Sequence, residues 1–98
     1  MHNIKIEKNE RVKFHKPLQP YILSVDDVKS LEIRSHNLNN WFPSIVFFDK
    51  DLKILDVAKK DKIYRRYKIE VPKNTKYIKI ADLYNLINIK RGLTITVR

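Results

Sequence analysis

Two stretches of this chain gather side chains able to hold a ligand. The first runs Ser35-His36-Asn37-Leu38-Asn39-Asn40-Trp41-Phe42-Pro43 and carries the only tryptophan. Trp41 stands beside Asn37, Asn39 and Asn40. A Trp ring stacks on the apolar face of a sugar or a base, and Asn side chains both donate and accept hydrogen bonds. The competing reading is structural and weighs more. A lone large aromatic in a small protein is usually core, so Trp41 would cap one end of the fold while the asparagines form turns.

The second stretch sets Lys59, Lys60, Lys62, Arg65, Arg66 and Lys68 against a single acid, Asp61, with Tyr64 and Tyr67 interleaved. Cations neutralise phosphates and tyrosines stack on unpaired bases, so these residues form a candidate anion- or partner-binding cluster. An equally weighted alternative is a solvated loop whose lysines keep an edge strand from pairing with other chains.

Catalytic chemistry is hard to find. The one glycine, Gly92, rules out a phosphate-cradling loop and a dinucleotide fingerprint, which need several glycines at fixed spacing. No G-x-S-x-G elbow is present. The absence of cysteine removes a thiolate nucleophile, a disulfide framework and sulfur-based zinc sites. His2, His15 and His36 are far apart, and none adjoins a second ligand at metal spacing. Asp26, Asp27, Asp49, Asp51, Asp56 and Asp61 fall in expected turns, where Asp organises backbone. Two carboxylates across a cleft would suit glycoside hydrolysis, but a chain this short has little room for a cleft as well as a core. The expectation is a non-enzyme without metal or cofactor.

The elements that must position these side chains read as β. Ile4 and Ile6, Val12 and Phe14, Leu31 and Ile33, Tyr67 to Val71, Ile78 and Ile80, and Leu93 to Val97 all alternate with polar residues. Period two with β-branched and aromatic residues predicts strands with one buried face. Ile45-Val46-Phe47-Phe48 is continuous and predicts a central strand buried on both faces. Phe48-Asp49-Lys50-Asp51-Leu52 then predicts a tight turn into a partner strand through Leu52, Ile54 and Val57. Tyr21 to Leu23 predicts a further strand after Pro17 and Pro20. Ala81 to Lys90 has helical spacing, with Asp82 as a cap, so at most one short helix is expected there. Residues 57 to 63 offer one basic turn. With one glycine, the turns must rely on Asn, Asp and Pro. Both ends, residues 2–7 and 92–98, read as strands that would close one sheet by pairing with each other or with neighbours. The sum is an all-β chain: an antiparallel, jelly-roll-like β-sandwich of about eight short strands.

Ninety-eight residues fit a single domain spanning 1–98. Such a chain buries roughly two-thirds of its unfolded surface, enough for a core without staples. A net charge of +10 favours nucleic acid, anionic glycans, anionic lipid or an acidic protein as partner. The same charge also follows from an AT-rich genome, which inflates lysine at solvated positions. No apolar run approaches the roughly 20 residues that cross a bilayer, and the first residues hold no stretch of signal-peptide length. The chain as written reads as cytoplasmic, or as periplasmic or secreted had an export signal been removed.

Three segments in order, Leu31-Glu32-Ile33-Arg34-Ser35, Phe42-Pro43-Ser44-Ile45-Val46-Phe47-Phe48-Asp49 and Ile69-Glu70-Val71-Pro72-Lys73-Asn74-Thr75-Lys76-Tyr77-Ile78-Lys79-Ile80, resemble the β-sandwich domain of the maltose-operon periplasmic protein family. They are also similar to jelly-roll modules of bacterial surface and phage tail proteins. About half the chain is covered. The resemblance implies a non-enzymatic module binding protein or carbohydrate within a cell-envelope, secretion or phage assembly, and it supplies no catalytic residues. The strong positive charge and the absence of an export signal depart from that pattern. A small basic nucleic-acid-binding protein using residues 59–68 is the second expectation. Strand faces opposite the core that read Lys, Arg, Glu and Thr lean against an aromatic RNA-binding sheet and leave a loop site open.

Overall fold

The computed structural model describes residues 3–98; His2 lies outside the described residues. Nine strands form: β1 (Asn3–Lys5), β2 (Arg11–Phe14), β3 (Tyr21–Ser24), β4 (Ser30–Ser35), β5 (Pro43–Phe48), β6 (Ile54–Lys59), β7 (Arg66–Glu70), β8 (Tyr77–Asp82) and β9 (Leu93–Val97). They build a five-stranded sheet in the order β1-β3-β8-β5-β6 and a four-stranded sheet in the order β2-β9-β4-β7. From β2 onward the chain changes sheet at every connection except the β5–β6 hairpin. This is a jelly-roll sandwich, as the period-two runs predict. Every pair is antiparallel except β1 with β3, which is parallel.

The two inner faces supply the core. Leu31, Ile33, Ile95 and Val97 project from the four-stranded sheet against Leu23, Ile45, Phe47, Ile78 and Ile80 from the other, all essentially closed to water. Burying each such side chain stabilises the fold by roughly 1.5–3 kcal/mol. Gly92 has a φ of 83°, and a Cβ there would lie 2.0 Å from the Phe14 carbonyl oxygen. Elsewhere Asn9, Asp27 and Asn74 take positive φ, so Asn and Asp do replace glycine in the turns. Leu52, at φ 63°, is the exception.

The β5–β6 hairpin forms where expected. Asp49 Oδ1 accepts from the Asp51 and Lys53 amides at 2.8 and 2.9 Å. Three expectations need correction. The continuous run Ile45–Phe48 is not buried on both sides. Ile45 and Phe47 are closed to water, but Val46 and Phe48 stand half-buried on the outer surface. The 81–90 segment holds the one short helix expected there, a 3-10 turn over Leu86–Ile89, but its cap is Asn85, whose side chain accepts from the Ile87 amide, and not Asp82. Asp82 ends β8 instead. It accepts from the Phe42, Tyr84 and Asn85 amides and the Asn88 side chain at 2.8–3.0 Å. That carboxylate is worth more to those four donors than to a short, Asn-rich helix. Finally, the chain ends lie in different sheets: β1 beside β3, and β9 between β2 and β4.

Candidate interaction surfaces

The Asn/Trp stretch closes one end of the sandwich. Trp41 is fully buried, and its indole N–H donates to the Ala81 carbonyl at 3.0 Å. Tyr67 meets its ring edge-on at 6.4 Å, and Tyr64 packs edge-on against Tyr67. Asn39 is also buried. Its Nδ2 donates to Ser35 Oγ and to the Gly92 carbonyl, and its Oδ1 accepts from the Arg91 amide, all within 3.1 Å. A ring sealed in this way has no face to offer a sugar or a base. Asn37 and Asn40 are exposed.

All six cations of the second stretch are exposed, but they do not form one surface. Lys59 ends β6, and Lys60 and Lys62 sit in the β6–β7 connection. Arg65 turns back to donate to the Asn37 carbonyl and, at 3.4 Å, to that of Asn39. Arg66 and Lys68 stand on the outer face of β7. Tyr67 turns inward onto Trp41 and Tyr64 packs on Tyr67, so neither ring is laid out for stacking.

Strand pairing brings further cations to Arg66 and Lys68. Arg34 lies opposite Arg66, and Glu32 opposite Lys68. Across β9, Thr94 lies between Arg34 and Lys13, and Thr96 between Glu32 and Arg11. The outer face of the four-stranded sheet thus carries Arg11, Lys13, Arg34, Arg66 and Lys68 around Glu32, with Glu70 exposed at the end of β7. Arg66 approaches Glu32 with both Nε and Nη2 at 2.7 Å, and Lys68 and Arg34 stand at 3.7 and 3.8 Å. Loss of solvent is the largest influence on Glu32 and pushes its pKa up. The hydrogen bond and charge of Arg66, with the charges of Lys68 and Arg34, together outweigh it and hold the carboxyl below its usual range. Glu32 is covered by the side chains that pair with it, not by depth in the fold.

The five-stranded sheet presents a different surface. Val46 faces Val57 across the β5–β6 pair, and Phe48 faces Ile54. Phe48 also lies opposite Tyr77 on β8, and Lys79 opposite Ile22 on β3. Ile54, Leu52 and Val57 are 62%, 60% and 43% exposed, high values for large aliphatic side chains on adjacent positions. Beside them opens a groove of about 480 Å³ walled by Ile22, Phe48, Leu52 and Tyr77, with Lys50 and Lys79 on its rim. The sequence signal for this surface was present in the unbroken run Ile45–Phe48, which reads the same whether its second face is packed or bare.

Strand β6 is the edge of that sheet. The Lys60 amide donates to the Pro43 carbonyl at 2.9 Å, so by alternation the Val46–Val57 pair is not hydrogen-bonded and the Val57 amide points away from the sheet. Asp56 Oδ1 accepts from that amide at 2.8 Å. A larger cleft of about 1050 Å³ at one end of the sandwich, between residues 26–30, 49–51 and 70–76, mixes both charge signs and is crossed by an ion pair of Lys76 and Asp26 at 2.7 Å. Among the described residues, no group of three or more His, Asp and Glu is arranged to hold a metal ion, and no helix is long and apolar enough to cross a membrane.

In fold, the chain resembles a collagenase domain. The similar structure is the pre-peptidase C-terminal domain of collagenase from Bacillus anthracis, with a TM-score of 0.67 over 99% of this chain and 95% of that one. The two sequences are 8% identical, so the likeness concerns the β-sandwich and nothing finer. A β-glucosidase from Paenibacillus barengoltzii aligns at a TM-score of 0.33 and 14% identity, over 98% of this chain and 11% of that one, too low to define a shared fold. No protein family and no curated protein matches the chain, the resembled families included. Of that resemblance, the β-sandwich stands.

Proposed function

We propose that this protein is a non-catalytic interaction module that holds a partner protein on the outer face of its five-stranded sheet. One observation carries the reading. Leu52 and the β6 residues Ile54 and Val57 lie open to water, next to the half-buried Val46, Phe48 and Tyr77 of the neighbouring strands, beside a walled groove. Contiguous apolar surface of this kind mostly marks an interaction site. Grooves of a few hundred Å³ accept one or two apolar side chains and gain specificity from a few polar groups at the rim. Here the rim groups are the cations Lys50 and Lys79. The partner segment is therefore one large apolar anchor flanked by Asp or Glu. The carbohydrate alternative depended on the Trp41 ring and loses support with its burial.

Asp56 on the edge strand fits the same reading. By occupying the Val57 amide it discourages unlimited strand addition at β6 while leaving the outer face clear. The test is selection from a random peptide library displayed on phage, with Phe48→Ser as the counter-screen. The expected enrichment is an aromatic or Leu between acidic residues, lost on the variant. Enrichment without acids, or peptides that bind the variant equally, would contradict the proposal.

A further inference from the structure

The opposite sheet has no apolar surface to offer, and its outer face carries a separate inference. We infer that the outer face of β2-β9-β4-β7 is a docking surface for duplex nucleic acid, held through both phosphate chains beside one groove. The charges stand in two rims. Arg11 and Lys13 line β2, and Arg66 and Lys68 line β7, with Arg34 between them on β4. Three strand spacings separate β2 from β7, about 14 Å at 4.7–4.9 Å per strand. The major groove of B-DNA is about 12 Å wide, so the two rims meet the backbones on its two sides. Thr94 lies half-exposed in the middle, a neutral hydroxyl within reach of a phosphate or sugar oxygen.

Two features make this a surface and not a scatter of cations. The rims are held in place from within: Arg66 by two contacts to Glu32, and Arg11 by a hydrogen bond from its Nε to Thr96 Oγ1 at 3.3 Å. Pre-set guanidinium groups lose less freedom on meeting a phosphate than free ones. The five cations also exceed the two carboxylates of this face, Glu32 and Glu70, so it keeps a net positive charge after internal pairing.

The absence of aromatic rings on this face selects the partner. Single strands are held by bases stacked on exposed rings, whereas Tyr67, the aromatic of β7, turns inward against Trp41. A duplex keeps its base faces stacked inside and its phosphates outside, and needs no such rings. Recognition is then by backbone and independent of sequence.

The experiment is fluorescence anisotropy of a labelled 20-base-pair duplex of random sequence, titrated with the full chain between 25 and 200 mM salt. Five phosphate contacts give log K falling against log salt with a slope of about −4.5. Lys13→Gln with Lys68→Gln removes one cation from each rim. It is expected to weaken binding at least tenfold at 25 mM salt and reduce the slope by about 2. Lys59→Gln with Lys60→Gln makes the same charge change off this face and is expected to weaken binding less than threefold. Both pairs are exposed, and an unchanged melting midpoint shows that the fold is intact. The inference is overturned by equal losses in the two double variants or by no duplex binding at 25 mM salt. Tighter binding to a single strand, to heparin or to phosphatidylserine vesicles than to the duplex would overturn it as well. It does not depend on the groove of the other sheet, since Phe48→Ser leaves these cations in place.

Discussion

Val46 stands directly opposite Val57 on the outer surface of the five-stranded sheet, with no protein layer above them. The pair extends an apolar surface that runs through Phe48, Ile54 and Leu52 to the groove. On the other sheet the equivalent surface is a row of cations. The sandwich therefore has one sticky face and one charged face, with a shared core between them.

Leu52 marks the cost of that arrangement. Its φ of 63° suits Asn or Gly, and its side chain is 60% exposed, so nothing in the core needs it. Leu52→Asn should relieve left-handed strain and stabilise the protein by about 0.5–1 kcal/mol. The melting midpoint should rise by roughly 2–8 °C while affinity for the selected peptides falls. A gain in stability without any loss of binding would detach Leu52 from the groove.

Asp56 should act as a guard. Asp56→Ala frees the outward amide of Val57 on an edge that already exposes Ile54, Leu55 and Val57. Sedimentation velocity is expected to show concentration-dependent self-association in the variant and a monomer in the wild type. Identical profiles would mean that the lysines at the edge suffice without it.

Asn39 is predicted to be structural despite its place in a binding-like motif. Asn39→Ala removes three side-chain hydrogen bonds and leaves the Gly92 carbonyl with no side-chain donor. The expected loss is about 2–3 kcal/mol, or roughly 10–20 °C in melting midpoint. Asn37→Ala and Asn40→Ala should stay within about 0.5 kcal/mol, because both residues are exposed. Calorimetry on the three variants separates the roles.

Tyr21 sets an alkaline limit. Burial pushes its phenol up to about 12, and its hydroxyl donates to the His15 carbonyl. Since the folded-state value lies above the unfolded one near 10, its contribution is complete below pH 10 and disappears as pH rises towards 12. That contribution is on the order of 1–2 kcal/mol. Denaturant midpoints at pH 9 and pH 11.5 should fall further for wild type than for Tyr21→Phe. Equal falls would exclude this tyrosine as the cause.

Much of this fold was legible in the chain. Alternation in segments such as Leu93–Val97 marks strands because only period two keeps one side dry, and Asp49 announces its turn through its own acceptor geometry. What lay hidden depends on partners distant in sequence. Arg34 and Arg66 are 32 positions apart, and only the β4–β7 register makes them neighbours. Trp41 looks the same in sequence whether its N–H meets water or the Ala81 carbonyl. The run Ile45–Phe48 misled in the opposite direction, since an apolar outer face awaiting a partner is composed like one that already has a covering layer. The clearest overlooked signal is Leu52, an aliphatic residue at a turn position where Asn or Gly would be expected.

The groove is tested most directly by amide chemical-shift mapping. A labelled sample is titrated with a blocked peptide holding one Phe between two Glu on each side. Saturable shifts are predicted at Ile22, Phe48, Leu52, Tyr77 and Lys79, persisting at 200 mM salt and absent from Phe48→Ser. Shifts confined to Arg11, Lys13, Arg34, Arg66 and Lys68, or shifts that vanish with salt, would show that the peptide is drawn by charge to the other sheet and would contradict the groove as the docking site.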